Sequence, residues 1–171
     1  TVLLKSFMSY ARERFMAGEE RAVLDPGMLL TRLNGELLGQ NLGKHLTLFY
    51  GVIDTERNHL TFSNGGQFPY PIMLAGDTIE RMKIKGTPIG MFPFSQYENV
   101  DRPLPSAFTL AIFSDGVLEL LEEPGLMDKQ ERLETAVLCC DGDIGHITMR
   151  LALDKAAMPP DDVSILTVQK I

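Results

Sequence analysis

Phe108-Thr109-Leu110-Ala111-Ile112-Phe113-Ser114-Asp115-Gly116-Val117 is the stretch on which the fold turns. Phe108 to Phe113 is rich in branched and aromatic residues, the composition of a buried strand. Ser-Asp-Gly then stops it, so the Asp115 carboxylate sits where an apolar sheet meets water. A second acidic tip lies far away in sequence, where Asp161-Asp162 opens the run Val163-Ser164-Ile165-Leu166-Thr167-Val168. If the two strands are antiparallel neighbours, the end of one and the start of the other meet at one sheet edge. Paired carboxylates there make an oxygen-ligand site for a hard divalent cation. Asp115 and Asp161 are therefore the candidate metal ligands, with Gly116 and Asp162 as residues lining the site. Asp162 is expected to face away or to cap local backbone. Glu119, four residues after Asp115, could line the same cleft, but a solvated helix face is the expectation.

Working outward, the region from Gly86 to Pro105 is rich in Gly and Pro and reads as a loop excursion, with a short strand near Tyr97–Asn99. Two hairpins precede it: His45–Ile53 with His59–Ser63, and Pro71–Leu74 with Thr78–Ile84. Before them come two helices. The first runs from about Val2 to Met16, with Leu4, Phe7, Met8, Ala11 and Phe15 on one face. The second is opened by Asp25-Pro26, an N-cap followed by proline at the first helical position, and Gly43 fits its stop. After the central strand, Gly116–Leu121 continues as a short helix. Asp128 with Glu131 reads as a capping box, Asp143 caps a last helix, and Val163–Gln169 is the last strand. Segregated helices and antiparallel strands argue for an α+β layered sandwich and against a doubly wound parallel sheet. No GxxxxGK[ST] or GxGxxG spacing supports nucleotide binding.

The chain has 171 residues and a net charge of -7. That charge excludes general attraction to nucleic acid or to an anionic membrane, and no apolar run is long enough to span a bilayer. Lys5, Arg12, Glu13 and Arg14 break up the opening segment, so it does not read as a signal peptide. The two cysteines are the neighbours Cys139 and Cys140, which suits neither a disulfide framework nor a zinc site and fits a reducing cytoplasm. His45, His59 and His146 follow no ligand spacing. Thr1 leads straight into helical periodicity without an initiator Met, which reads as a chain that begins inside a larger protein.

The ordered set Asn64-Gly65-Gly66-Gln67-x-Pro69, Gly86-Thr87-Pro88-Ile89-Gly90, Phe113-Ser114-Asp115-Gly116-Val117-x-Glu119 and Asp161-Asp162-Val163-Ser164-Ile165-Leu166 resembles the SpoIIE-like branch of the type 2C (PPM) metal-dependent Ser/Thr protein phosphatases. The resemblance runs from Thr1 to Ile171. Effector domains of bacterial response regulators of the RssB type look like relatives. The resemblance implies an αββα four-layer sandwich of two antiparallel sheets flanked by helices. It also implies two Mn²⁺ or Mg²⁺ ions, with Asp115 and Asp161 as ligands and a metal-bound water that attacks phosphorus. The implied partner is a phosphoserine or phosphothreonine protein of the anti-sigma-factor antagonist type. A homodimer and an upstream receiver or sensor domain are expected from family habit.

The sequence also departs from that pattern. The family's bridging aspartate, on an early strand followed by Gly-His-Gly, has no match here. Glu13, Glu19, Glu20 and Asp25 fall on a helix or a loop and cannot stand in for it. Val2-Leu3-Leu4-Lys5 resembles the helix just after Gly-His-Gly. The expectation is thus a single phosphatase-like domain over 1–171, lacking its first strands, from the C-terminal part of a larger regulatory protein. By itself it should bind metal weakly and be inactive. Gln67 stands where the family usually has His. The alternative expectation is an inactive phosphatase-like adaptor that binds a partner in a sigma-factor pathway.

Overall fold

A computed structural model describes residues 2–41, 43–153 and 161–171. Thr1, read as the start of the first helical pattern, lies outside the described residues. The chain forms two compact units: 1–67 with 84–103, and 68–83 with 104–171.

The first unit opens with helix α1, Val2–Met16. Its apolar stripe is only half-buried, because Leu3, Leu4 and Phe7 sit at the margin of the core. A 3-10 turn at Ala22–Leu24 leads to helix α2, Pro26–Gly39. The Asp25 carboxylate accepts from the Met28 amide and Pro26 occupies the first turn, as the sequence predicts. Leu30, Leu33 and Leu37 recur at helical spacing and form the core with Ile89 and Tyr97. Each such side chain contributes about 1.5–3 kcal/mol by leaving water. The helix stops earlier than Gly43: Gln40 is its C-cap, and Asn41 takes the left-handed conformation with φ 49°.

Strands β1 (Leu48–Asp54) and β2 (His59–Gly65) form the expected hairpin, with Asp54 paired to His59. The third strand of this antiparallel sheet is β5, Val100–Pro103, giving the order β1-β2-β5. The short strand expected at Tyr97–Asn99 is displaced to Val100, for a physical reason. Tyr97 is buried in the α2 core, and the Asn99 side chain is spent on α2, accepting from the Gly27 amide at 2.7 Å and donating to Asp25 at 2.7 Å.

The second unit holds β3 (Ile72–Ala75), β4 (Thr78–Arg81), β6 (Phe108–Phe113) and β7 (Ile165–Lys170). They make an antiparallel sheet in the order β4-β3-β6-β7. β6 lies between β3 and β7, which explains its near-continuous apolar run. Helices α3 (Gly116–Glu119), α4 (Leu126–Cys139) and α5 (Ile144–Arg150) cover this sheet's core. Ile72, Ala111, Phe113, Val117, Leu133, Val137 and Ile147 are fully buried in it. Asp143 caps α5 by accepting from the His146 amide.

Asp128 does not open α4. Pro124-Gly125 breaks the chain sooner, Gly125 is the N-cap, and Asp128 falls in the first turn, where a carboxylate favours the helix dipole. Cys139 is exposed and Cys140 packs at the core margin, both as free thiols. The fold is the α+β class read from the sequence, with two antiparallel sheets and accompanying helices. No helix among the described residues is long and apolar enough to cross a membrane.

Candidate functional site

The two acidic tips meet. β6 and β7 are antiparallel neighbours, paired from Phe108 with Lys170 to Phe113 with Ile165. One residue beyond the ladder, the Ser114 amide donates to the Ser164 carbonyl at 2.9 Å. The Ser114 hydroxyl then makes two bonds of its own. It accepts from the Ser164 amide at 2.8 Å and donates to the Asp162 carbonyl at 3.0 Å. Asp115 follows at once and Asp161 precedes at once, so both carboxylates stand at one end of the β6-β7 pair. Gly116 closes the arrangement. A Cβ there would strike the Asp162 carbonyl oxygen and lie 3.3 Å from the Asp161 carbonyl carbon.

Asp115, Asp161 and Asp162 are all exposed. Asp115 caps α3, accepting from the Gly116 amide at 3.2 Å. It is Asp161, and not Asp162, whose carboxylate binds local backbone, taking the Asp162 amide at 2.7 Å. Asp162 contributes its carbonyl to the Ser114 contact. Glu119 lies at the exposed end of α3, as expected for a solvated face. The sequence marks Ser114 only as part of a strand-ending turn and gives Ser164 no role. The signal was there, since each directly adjoins the paired residues Phe113 and Ile165.

The two glycine-rich motifs of the first unit interlock. Asn64 is buried, and its side chain accepts from the Gln67 amide at 2.7 Å while donating to the carbonyls of Ile84 at 2.9 Å and Gln67 at 3.3 Å. Gly86 lies directly on the Asn64 carbonyl, where any side chain would collide. Gly66, with φ +79°, leaves room for Pro88, whose nitrogen would be 2.7 Å from a Cβ. These motifs therefore build one another's backbone. A cavity of about 490 Å³ between α1 and α2 is lined by Leu3, Phe7, Tyr10, Arg32 and Glu36 among others, and by none of the candidate residues.

The sequence model of the Stage II sporulation protein E (SpoIIE) family matches residues 3–170. The chain belongs to the SpoIIE family. Among curated relatives, it is 24% identical over 111 residues to phosphoserine phosphatase RsbU of Bacillus subtilis (strain 168), a match that covers 63% of this chain and 33% of RsbU. Among solved structures, it resembles the SiaA-PP2C domain of Pseudomonas aeruginosa (TM-score 0.75, 20% identity, 98% of this chain and 68% of that one). It also resembles the PP2C phosphatase domain of Bacillus subtilis SpoIIE with a fragment of its regulatory domain (TM-score 0.66, 17% identity, 99% of this chain and 50% of that one). These likenesses speak for the PP2C fold. The chain spans about a third of RsbU's length and half of that SpoIIE structure.

Phosphatases of the PP2C class are metal-dependent, so the SpoIIE-family assignment raises the question of fit. The donor chemistry suits a hard cation: oxygen ligands, open to water, carried on the ends of paired strands. Asp115 and Asp161 would hold such an ion, although among the described residues no group of three or more His, Cys, Asp or Glu is placed to hold one.

Proposed function

We propose that this chain is the phosphatase domain of a metal-dependent serine/threonine protein phosphatase, with Asp115 and Asp161 as ligands for Mn²⁺ or Mg²⁺. One observation carries the reading: in a chain of the SpoIIE family, Ser114 and Gly116 bring the two downstream carboxylates to one sheet edge. A bound divalent ion supplies Lewis-acid chemistry, activating water and neutralising phosphoryl charge. The chain's own part is to hold the carboxylates on a rigid edge and, through the absence of a side chain at Gly116, to keep that edge close. The substrate is a phosphoserine or phosphothreonine on a regulatory protein of the anti-sigma-factor antagonist type, by analogy with RsbU, named as a phosphoserine phosphatase. An upstream sensor or receiver domain and a homodimer belong to the same proposal.

A second reading, an inactive adaptor that binds a protein partner, is favoured by the lack of a third ligand among the described residues and by Gln67. The test is phosphate release from a phosphoserine protein by the full natural polypeptide, with Mn²⁺ and with chelator, beside Asp115→Asn. Release abolished by chelator and by the substitution supports the enzyme. Folded protein without turnover on several phosphoproteins, and with partner binding indifferent to chelator, supports the adaptor.

A further inference from the structure

We propose that Ser114 is a positioning residue whose hydroxyl sets the spacing of the Asp115 and Asp161 carboxylates; the inference rests on the phosphatase reading above. β-Sheet pairing alone does not fix that spacing. The β6-β7 ladder ends at Phe113 and Ile165, and one backbone bond, from the Ser114 amide to the Ser164 carbonyl, continues past it. The Ser114 side chain extends the pairing past that point. Its oxygen accepts the Ser164 amide at 2.8 Å and its proton goes to the Asp162 carbonyl at 3.0 Å, so one hydroxyl spans residues 162 and 164 of the opposite strand. The Ser114 amide adds a third bond, to the Ser164 carbonyl at 2.9 Å.

The peptide so gripped is the one next to Asp161. Gly116 packs against the same carbonyl, where a Cβ would lie 3.0 Å from the Asp162 carbonyl carbon. Both residues that flank Asp115 thus contact the Asp162 carbonyl. Alanine at 114 keeps the backbone bond, removes the two hydroxyl bonds and leaves the Asp162 carbonyl and Ser164 amide to water, at a site open enough for water to take them. The expected consequence is looseness of the tip rather than loss of the fold. Groups that hold metal ligands in place commonly change affinity by about 10–100-fold when removed.

The experiment uses the full natural polypeptide as wild type, Ser114→Ala and Ser114→Thr. Mn²⁺ binding is read directly from the electron paramagnetic resonance of free Mn²⁺. The Mn²⁺ concentration for half-maximal phosphate release and kcat at saturating Mn²⁺ are measured alongside, with Tm in the absence of metal. Ser114→Ala is expected to weaken Mn²⁺ binding about tenfold or more, with Tm little changed. Ser114→Thr, which keeps the hydroxyl, is expected to restore wild-type binding. Wild-type Mn²⁺ affinity in Ser114→Ala, or a loss that Thr does not rescue in a folded protein, overturns the inference and leaves the phosphatase reading standing. Absence of both Mn²⁺ binding and turnover in the wild type overturns that reading, and the inference with it.

Discussion

Gly116 lies directly against the Asp162 carbonyl, so that a Cβ at 116 would overlap the oxygen and come within 3.0 Å of the carbon. The requirement is one of space, since Gly116 is the first residue of α3 and is not among the glycines with positive φ. Gly116→Ala must shift either the Asp162 carbonyl or the start of α3, and so change the spacing between the segments that carry Asp161 and Asp115. Overpacking of this kind costs about 1–3 kcal/mol, so the thermal midpoint should fall by several degrees. Displacement near 1 Å at a reacting centre costs about 10²-fold in rate. Turnover by the natural full-length protein should therefore drop far more than stability does. Wild-type turnover in this variant would show that the tip yields without consequence.

Asn64 is the node of the first unit's two glycine motifs, binding the Gln67 amide and the carbonyls of Ile84 and Gln67 while 3% exposed. Asn64→Ala leaves those backbone groups without their partner, at about 1–3 kcal/mol for a buried unsatisfied group. Hydrogen exchange should show the Gln67 amide losing protection, with the amides of β1 and β2 less affected. Retained protection at Gln67 would mean that Gly86 and Gly66 hold the turn without the side chain.

Helix α1, the two hairpins and the β6 strand were legible in the sequence because each carries a pattern of a single period: 3.6 in α1, and a continuous apolar run in β6. What escaped was decided by tertiary partners. Tyr97 and Asn99 have strand-like surroundings in sequence, yet the first is drawn into the α2 core and the second caps α2, so the strand begins at Val100. Gln130 lies on α4 with no apolar signature. It is nonetheless fully buried, because it returns both backbone bonds of Tyr70 and also binds Glu134. At the candidate site the meeting of the two acidic strand ends could be read and the part of Ser114 could not, since its bonds exist only once Ser164 is opposite.

Tyr50 gives a pH-dependent handle on the first unit. Burial raises its pKa above the usual 10.0, and its hydroxyl donates to the Val23 carbonyl at 3.0 Å. The neutral phenol is the form that the fold favours. Its contribution is therefore fully present below the unfolded value of about 10 and is lost as pH rises through the raised folded value. Wild type should lose stability in this alkaline range more steeply than Tyr50→Phe, which lacks the titrating group. At neutral pH the same variant should be weaker by about 1 kcal/mol for the lost hydrogen bond. Parallel curves of Tm against pH for the two proteins would contradict the assignment.

Asp115 follows β6 and Asp161 precedes β7, 46 positions apart in the numbering, with Ser114 bonded to the Asp162 carbonyl beside them. If they serve one cation, they act as a unit and their effects should not add. In the natural full-length protein, Asp115→Asn and Asp161→Asn are each expected to abolish Mn²⁺-dependent phosphate release, and the double variant to lose no more than either alone, because groups acting together are grossly non-additive on removal. Both side chains are exposed, so Tm without metal should stay close to wild type in all three variants. Added Mn²⁺ should raise the wild-type Tm by linkage and leave the variants' values unmoved. Additive losses of rate, or an unchanged response of Tm to Mn²⁺ in the single variants, would mean that the two carboxylates do not share a metal, and that the sheet edge they occupy serves some purpose other than phosphoryl hydrolysis.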